Sequence, residues 1–182
     1  MATLYSIGYG NRSWQDVRRL LSSRNCEYLI DVRSNPFSKF NPSFGKESLI
    51  NLCHESGIRY VFMGESLGGK PASEDHFDLD GKVNYCRLAE GAEFRHGLSR
   101  LVTANAKGIC ACLMCSELRP EECHRCKLIG SELKQFGIDI VHIDEAGMNI
   151  SQEDAIHRLT NGQGDIFGVP PQITRSRGAY KK

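Results

Sequence analysis

Residues 108–136, GICACLMCSELRPEECHRCKLIGSELKQF, hold the pattern that decides the fold. The first eight of them, GICACLMC, are apolar and have the length of a buried β-strand, and a polar stretch follows directly. Residues 121–136 have helical length, begin with two acids that suit the first turn of a helix, and stop before Gly137. A buried strand, a polar loop and a helix together indicate one β-α unit of a parallel sheet.

The same alternation of strand-length and helix-length segments occurs along the rest of the chain. Four more strands are predicted, at residues 3–10 (TLYSIGYG), 27–33 (EYLIDVR), 58–63 (IRYVFM) and 139–143 (DIVHI). Further helices are predicted after Ser13, at residues 46–56 and 92–106, and from Ser151. The sequence therefore predicts an α/β fold with a mostly parallel sheet of about five strands and helices on both faces.

These elements predict one domain over residues 1–160, a size that can bury a core without disulfides. Residues 64–90 contain Gly68, Gly69, Pro71 and Gly81 among polar residues, and they predict a long loop that could act as a lid. Residues 161–182 predict an irregular basic C-terminal tail.

The composition narrows the class of protein. A hydrophobic share of 40% and a charged share of 25% are ordinary for a globular domain, and no run of 18 apolar residues predicts a membrane span. The first residues show no secretory signal, so we expect a cytoplasmic protein whose eight cysteines are reduced. A net charge of +1 predicts no global attraction to nucleic acid, and we expect no cofactor.

Polar residues follow each predicted strand at its carboxyl end, where open parallel sheets bind their ligands. This pattern favours an enzyme or a small-ligand binder, although solvated loops after strands give the same pattern. Asp31 and Arg33 lie one residue apart and face the same side of an extended segment. They can form a structural ion pair or contact a substrate.

Two CxxC pairs raise the alternative of a zinc site made by Cys112, Cys115, Cys123 and Cys126. Cys112 lies inside an apolar strand, and neither pair has the glycine turn of a zinc knuckle. Buried or reducing thiols explain the same residues without a metal.

A thiol catalyst is a second alternative, because a strand ending in cysteine before a helix is similar to rhodanese-type sulfurtransferases and related phosphatases. In such proteins a loop at a helix N-terminus holds an anion beside the thiol. Here Pro120 lacks an N–H donor, and Glu121 and Glu122 would repel an anion.

A pair of carboxylates is the third alternative. Glu117 and Asp31, at the ends of two strands, could act as nucleophile or base at an anomeric carbon. Arg33, His124 and Arg125 would then hold phosphate or hydroxyl groups, although His124 could equally be a partner for a neighbouring carboxylate.

Several motifs together resemble a bacterial and archaeal family called domain of unknown function 488. They are LYSIGYGNRSWQDVRRLL, LIDVRSNPFSKFNPSFGKESL, GIRYVFMGESLGG and LMCSELRPEECHRCKLIGSEL followed by VHI, and they extend over about residues 3–145. The resemblance implies that the recurrent polar positions are Ser6, Gly8, Asp31, Arg33, Pro36, Ser38, Tyr60, Gly68, Gly69, Cys115, Glu117, Cys123, His124 and Arg125. Cys112 and Cys126 lie outside this pattern. Nucleic-acid or nucleotide processing, including removal of a base, is the activity that the resemblance suggests.

The preferred prediction is an enzyme that cleaves an N-glycosidic bond in a nucleotide or nucleic acid. Its predicted catalytic residues are Glu117, Asp31, His124 and Cys115. Its predicted substrate-binding residues are Ser6, Gly8, Tyr9, Arg33, Ser38, Lys39, Lys46, Tyr60, Gly68, Gly69 and Arg125. The alternatives are a thiol-dependent transferase or redox protein using Cys115, and a non-catalytic module whose basic tail and loop bind nucleic acid.

Overall fold

Six strands form a single sheet in the computed structural model, which describes residues 4–162 and 171–180. The strands are β1 Leu4–Gly8, β2 Tyr28–Asp31, β3 Arg59–Phe62, β4 Ala111–Cys115, β5 Ile140–Ile143 and β6 Asn149–Ser151. Their order in the sheet is β3-β2-β4-β1-β5-β6. All neighbouring pairs are parallel except β5 and β6. The predicted α/β class with a mostly parallel sheet is confirmed.

Strand β4 shows why the sheet has two apolar faces. Successive side chains of a strand point to opposite faces, so Leu113 joins one hydrophobic cluster while Cys112 and Met114 join the other. All five residues of β4 are buried, as expected for a strand covered on both sides. Because both faces of the strand are covered, apolar residues occupy successive positions in GICACLMC and do not alternate with polar ones.

Helices cover both faces. They are α1 Trp14–Ser22, α2 Lys46–Glu55, α3 Gly64–Leu67, α4 Tyr85–Glu90, α5 Ala92–Ala106, α6 Ser131–Gln135, α7 Gln152–Thr160 and α8 Pro171–Thr174. Helices α1 and α2 pack on the cluster that contains Cys112, and α4, α5 and α6 pack on the cluster that contains Leu113. Within the described ranges, none of the helices is both long and apolar enough to cross a membrane.

The structure differs from the sequence prediction in three places. The sheet has a sixth strand, β6, whose three residues are too few to show a strand pattern. The predicted loop 64–90 contains α3, a 3₁₀ turn at Glu74–His76 and α4. The predicted helix 121–136 is a 3₁₀ turn at Pro120–Glu122, then a π-helical segment at Arg125–Gly130, and then α6.

The described part of the predicted basic tail is bonded to the domain. The Ser176 N–H donates to Val83 O, and the Ser176 hydroxyl accepts from the Val83 N–H, both at 3.0 Å. Arg175 and Arg177 form ion pairs with carboxylates of the domain, including Asp78 and Glu122. Residues 163–170 and 181–182 of the predicted tail lie outside the described residues.

Candidate functional site

Four side chains converge just beyond the carboxyl end of β4. Cys115 ends the strand, Glu117 follows it, and Cys123 and His124 immediately precede the π-helical segment. One potential ligand atom from each of the four lies within 4.8 Å of the others. Cys115, Cys123 and His124 are buried, whereas Glu117 is only partly buried. We call these four residues the Cys–His–Glu cluster.

The Glu117 carboxylate is the hydrogen-bond acceptor of this cluster. Its Oε2 atom accepts from Cys115 Sγ at 2.8 Å and from Cys123 Sγ at 3.4 Å. Burial opposes ionisation of Glu117, but the bond from the Cys115 thiol and the proximity of His124 outweigh it and lower the pKa of the carboxyl. Glu117 is therefore ionised at neutral pH.

The Cys115 thiol lies in surroundings that disfavour a thiolate. Its hydrogen bond with Cys123 and its complete burial raise its pKa well above the ordinary value. A catalytic cysteine needs the opposite shift, because the thiolate is the nucleophile. This geometry does not favour the thiol-transferase alternative.

The His124 ring is fixed by the backbone of a neighbouring strand. Its Nε2 atom lies 3.0 Å from Val32 O, just after β2, and a carbonyl can only accept, so Nε2 carries the proton. Nδ1, the other ring nitrogen, then lies 3.8 Å from Cys115 Sγ and 3.6 Å from Cys123 Sγ. A side chain on Gly69 would place its Cβ 2.6 Å from His124 Cγ, so glycine is needed for this packing.

Asp31 belongs to a separate network. Arg33 donates to both of its carboxylate oxygens, at 2.8 and 2.6 Å, and the Tyr60 hydroxyl donates at 2.8 Å. Burial opposes the charge on Arg33, yet its bonds to Asp31 raise its pKa. Among the described residues no hydrogen bond joins Asp31 to Glu117, so the structure does not assemble them as a bonded pair.

This network continues toward the loop after β2. Arg33 Nη1 lies 3.4 Å from the Tyr9 hydroxyl, which donates to Ser38 Oγ at 3.3 Å. The Tyr9 ring stacks on Phe44 with ring centres 4.2 Å apart. Tyr9, Arg33 and Ser38 are all buried, so they position the loop from beneath.

The outer side of that loop is aromatic and basic. Phe37 is 71% exposed and Phe40 is 96% exposed. Lys39 lies between them in the chain and is also exposed. The ammonium of Lys46, another exposed residue, lies 4.7 Å from the centre of the Phe62 ring. We call Phe37, Lys39 and Phe40 the aromatic–lysine loop.

Ser6 and Arg125, both predicted to bind substrate, are completely buried. The Ser6 hydroxyl lies 2.5 Å from His142 Nδ1, and His142 Nε2 donates to Gln152 Oε1 at 2.6 Å. Arg125 Nη2 donates to the backbone oxygens of Glu117 and Leu118, at 2.9 and 3.0 Å. Arg125 thereby holds the loop that carries Glu117.

Gly8 also permits this loop to come close. An added Cβ would lie 1.7 Å from Glu117 O, a backbone atom that cannot move aside alone. The Tyr9 N–H donates to Cys115 O at 3.0 Å and ties β1 to the end of β4. Gly8 is thus required by the approach of two backbones.

A cavity of about 640 Å³ lies next to Gly68, and none of the four cluster residues lines it. Its lining includes Ser34, Gly68, Lys70 and His76. Gly68 precedes Gly69, which packs on His124, so the predicted glycine pair borders both the cavity and the cluster. A cavity of this size accommodates a nucleoside-sized ligand.

The four-thiolate zinc set is not assembled. Cys112 lies in the hydrophobic cluster under α1 and α2, whereas Cys115 and Cys123 lie in the other. Cys126 lies outside the group that Cys115 and Cys123 form with His124 and Glu117. Residues three apart on a strand point to opposite faces, which is why Cys112 cannot join Cys115.

Sequence reasoning missed several residues around the cluster. Tyr180 lies close enough to Glu117 and Cys115 that their charges, after the larger effect of burial, raise its pKa. The Lys70 ammonium lies 5.3 Å from the Tyr180 ring centre, and the Tyr180 N–H donates to Gly81 O. No sequence signal could have placed Tyr180 here, because it lies more than fifty residues after the cluster in a segment without periodic pattern.

These features define an α/β protein with a polar site at the carboxyl edge of a mostly parallel sheet. The profile of the family described as Domain of unknown function DUF488 matches residues 13–131. The chain therefore belongs to this family, and the resemblance seen in the motifs is confirmed. No curated protein matches the chain, and no solved structure does.

Proposed function

We propose that the protein is an enzyme that acts on nucleic acid or on a nucleotide, with N-glycosidic bond cleavage as its reaction. The observation that carries this proposal is the aromatic–lysine loop, which exposes Phe37 and Phe40 on either side of Lys39. Exposed aromatic rings stack on unpaired bases, and lysines bind the phosphates between them. Large exposed apolar side chains close together commonly mark an interaction site.

Glu117 is the acid that this proposal places at the reacting bond. Its side chain is partly exposed and ionised, and none of the described lysine and arginine side chains forms an ion pair with it. Asp31, by contrast, has no exposed surface and is bonded to Arg33 and Tyr60. The proposal therefore assigns Asp31 a positioning role, through Arg33, Tyr9 and the loop.

The proposed reaction is a hydrolysis. Glu117 acts as the general base and accepts a proton from a water molecule. The oxygen of that water bonds to the anomeric carbon, and the bond between this carbon and the nitrogen of the nucleobase breaks. The nucleobase leaves with the electron pair of that bond and takes up a proton from solvent. The cavity beside Gly68 offers space for a base rotated out of a duplex or presented in a single strand.

The test is incubation of the purified protein with oligonucleotides that carry normal, uracil, oxidised or hydroxymethylated bases, followed by alkali. Removal of a base leaves a site where alkali breaks the strand. We expect Glu117→Gln to lose this cleavage and Glu122→Gln, which replaces a partly exposed acid paired with Arg177, to retain it. No cleavage of any of these substrates would reject the proposed reaction.

The substrate class has its own test in the double variant F37A/F40A. Stacking contributes about 1–3 kcal/mol per base, so we expect affinity for single-stranded DNA to fall by about tenfold or more. Leu79→Ala is the matched control, because Leu79 is a fully exposed apolar residue on another segment. Equal affinity of the double variant and the control would remove the support that the loop gives.

The alternative function, a non-catalytic nucleic-acid-binding module with a basic tail, has less support. Arg175 and Arg177 are neutralised by Asp78, Asp80 and Glu122, so they are not free to bind phosphate. Binding through the tail and the loop without catalysis predicts affinity that falls steeply with salt and that Glu117→Gln leaves unchanged.

A further inference from the structure

The Cys–His–Glu cluster contains more chemistry than the proposed hydrolysis uses. That reaction needs the Glu117 carboxylate, but it gives no role to two buried thiols and a buried imidazole that face each other. Cys115, Cys123 and His124 are 3%, 1% and 7% exposed. Thiolate, imidazole and carboxylate are together the donor set that zinc prefers.

The spacing of the donor atoms fits a tetrahedral ion. Zinc bonds of about 2.3 Å to sulfur and about 2.0–2.1 Å to nitrogen or oxygen place neighbouring ligand atoms about 3.3–3.8 Å apart. His124 Nδ1 lies 3.8 and 3.6 Å from the two sulfurs, and Glu117 Oε2 lies 3.4 Å from Cys123 Sγ. The contact between Glu117 Oε2 and Cys115 Sγ, at 2.8 Å, is shorter than these.

The orientation of His124 is a second and independent observation. A histidine that binds a metal through one ring nitrogen generally donates from the other to a backbone carbonyl or a carboxylate. His124 Nε2 donates to Val32 O, and Nδ1 is the ring nitrogen that faces the two sulfurs. The bond to Val32 O thus holds the ring in the orientation that a metal-bound histidine takes.

A buried lysine near the cluster is consistent with a metal site that has a net negative charge. Two thiolates and one carboxylate around a divalent cation leave one net negative charge. Lys127 is buried, and its ammonium donates to Arg175 O at 2.7 Å and lies 5.8 Å from the centre of the Tyr85 ring. No carboxylate of the described residues forms an ion pair with it. A buried cation without a carboxylate partner is costly unless a nearby negative charge offsets it.

We infer that Cys115, Cys123, His124 and Glu117 bind one zinc-type divalent cation, with Glu117 as the ligand on the solvent side. On binding, each thiol forms a bond from sulfur to the metal and releases its proton to solvent. His124 binds as the neutral imidazole. The inference goes beyond the proposed function, because it rests on ligand geometry and holds for any substrate.

The partly exposed position of Glu117 gives the inferred site one exchangeable ligand. The three other donors are enclosed by protein, so solvent or substrate can reach the metal only at the position of Glu117. Two cysteines, one histidine and a fourth position open to exchange form the ligand arrangement of catalytic rather than purely structural zinc sites.

The experiment titrates cobalt(II) into the full-length chain after chelation and under reductant, because Cys115 and Cys123 could otherwise oxidise to each other. We expect a thiolate-to-cobalt charge-transfer band and intense tetrahedral d–d bands that saturate at about one ion per chain. Zinc should displace cobalt, and its binding should release about two protons at neutral pH.

Matched cysteine variants identify the ligands. Cys123→Ser and His124→Ala should lose the charge-transfer band or reduce it strongly, whereas Cys126→Ser and Cys112→Ser, which replace buried thiols outside the cluster, should keep it. Glu117→Gln should weaken zinc affinity by at least about tenfold. Its partly exposed position makes it the variant that retains the fold, which far-UV circular dichroism checks.

Two results would overturn the inference. The first is wild-type protein that shows no thiolate–cobalt band, and the second is loss of the band in Cys112→Ser and Cys126→Ser with retention in His124→Ala. Neither result depends on a substrate. If the protein binds cobalt but cleaves no oligonucleotide, the metal site stands and the proposed function is rejected. If it cleaves oligonucleotides but binds no cobalt, the proposed function stands and the metal site is rejected.

Discussion

At the scale of the residue, Asp31 is the predicted catalytic acid whose surroundings most constrain its role. It has no exposed surface and accepts three side-chain hydrogen bonds, two from Arg33 and one from Tyr60. Asp31→Asn would leave the Arg33 guanidinium buried without a counter-charge. We expect the free energy of unfolding, measured by urea denaturation, to fall by about 3–5 kcal/mol.

The matched control for Asp31→Asn is Glu145→Gln. Glu145 lies 3.7 Å from Arg119 and from Arg158, and all three side chains are at least one-third exposed. Solvent screening makes such pairs weak, so we expect a change below about 1 kcal/mol. If the two variants lost the same stability, the Asp31–Arg33 pair would not have the structural role described here.

Gly8 is a second residue whose role follows from packing. In Gly8→Ala the new Cβ meets Glu117 O, so the loop that carries Glu117 must shift. We expect a loss of about 1–3 kcal/mol in the free energy of unfolding, as for other insertions into packed sites. Gly178→Ala is the control, because nothing lies within 4 Å of its added Cβ, and unchanged stability of both variants would contradict the close approach.

At the scale of the element, the C-terminal segment is part of the domain rather than a free tail. The Val83 N–H is buried and donates to Ser176 Oγ, which lies 93 residues away in the chain. Ser176→Ala leaves this N–H without its acceptor. We expect a loss of about 1–3 kcal/mol in thermal or urea unfolding. Ser99→Ala, on the exposed face of α5, should change stability by less than about 0.5 kcal/mol. If Ser99→Ala lost as much stability as Ser176→Ala, the loss could not be assigned to the bond between Ser176 and Val83.

The elements that sequence predicted well are those whose pattern is local. Hydrophobic runs predicted β1 to β5, and Ser13 and Ser151 form the capping boxes that begin α1 and α7. The segment from residue 121 to residue 136 was predicted as one helix because its composition is helical throughout. The backbone instead widens into a π-helical segment where Gly130 lies against Gln152, a tertiary contact with no local signal.

At the scale of the whole molecule, topology explains how much of the site could be predicted. The rule that parallel strands bind ligands at their carboxyl ends placed Asp31, Cys115 and Glu117 at the same edge of the sheet. It could not show that Arg33 and Tyr60 both donate hydrogen bonds to the Asp31 carboxylate, or that the His124 ring faces the two thiols. Those facts depend on side-chain directions set by contacts between distant segments, such as the bond from His124 to Val32 O.

His142 links the stability of the whole sheet to pH. Its ring is buried between Ser6 and Gln152, and burial lowers its pKa from 6.5 to about 3. Between these two values the unfolded chain binds a proton at His142 and the folded chain does not, so protons favour unfolding. The stabilisation is complete above pH 6.5 and is lost progressively as the pH falls toward 3. We expect this residue alone to lower the free energy of unfolding by about 2 kcal/mol between pH 7 and pH 5.

Urea denaturation at a series of pH values between 7 and 5 measures this slope. His142→Gln removes the titrating group, so its stability should change less over this range, whatever its stability at pH 7. His54→Gln is the control, because His54 is exposed and its removal should leave the slope of the wild type. If His142→Gln kept the full wild-type slope, another group would be responsible, and the neutral bridge between Ser6 and Gln152 would not be the source of the acid sensitivity.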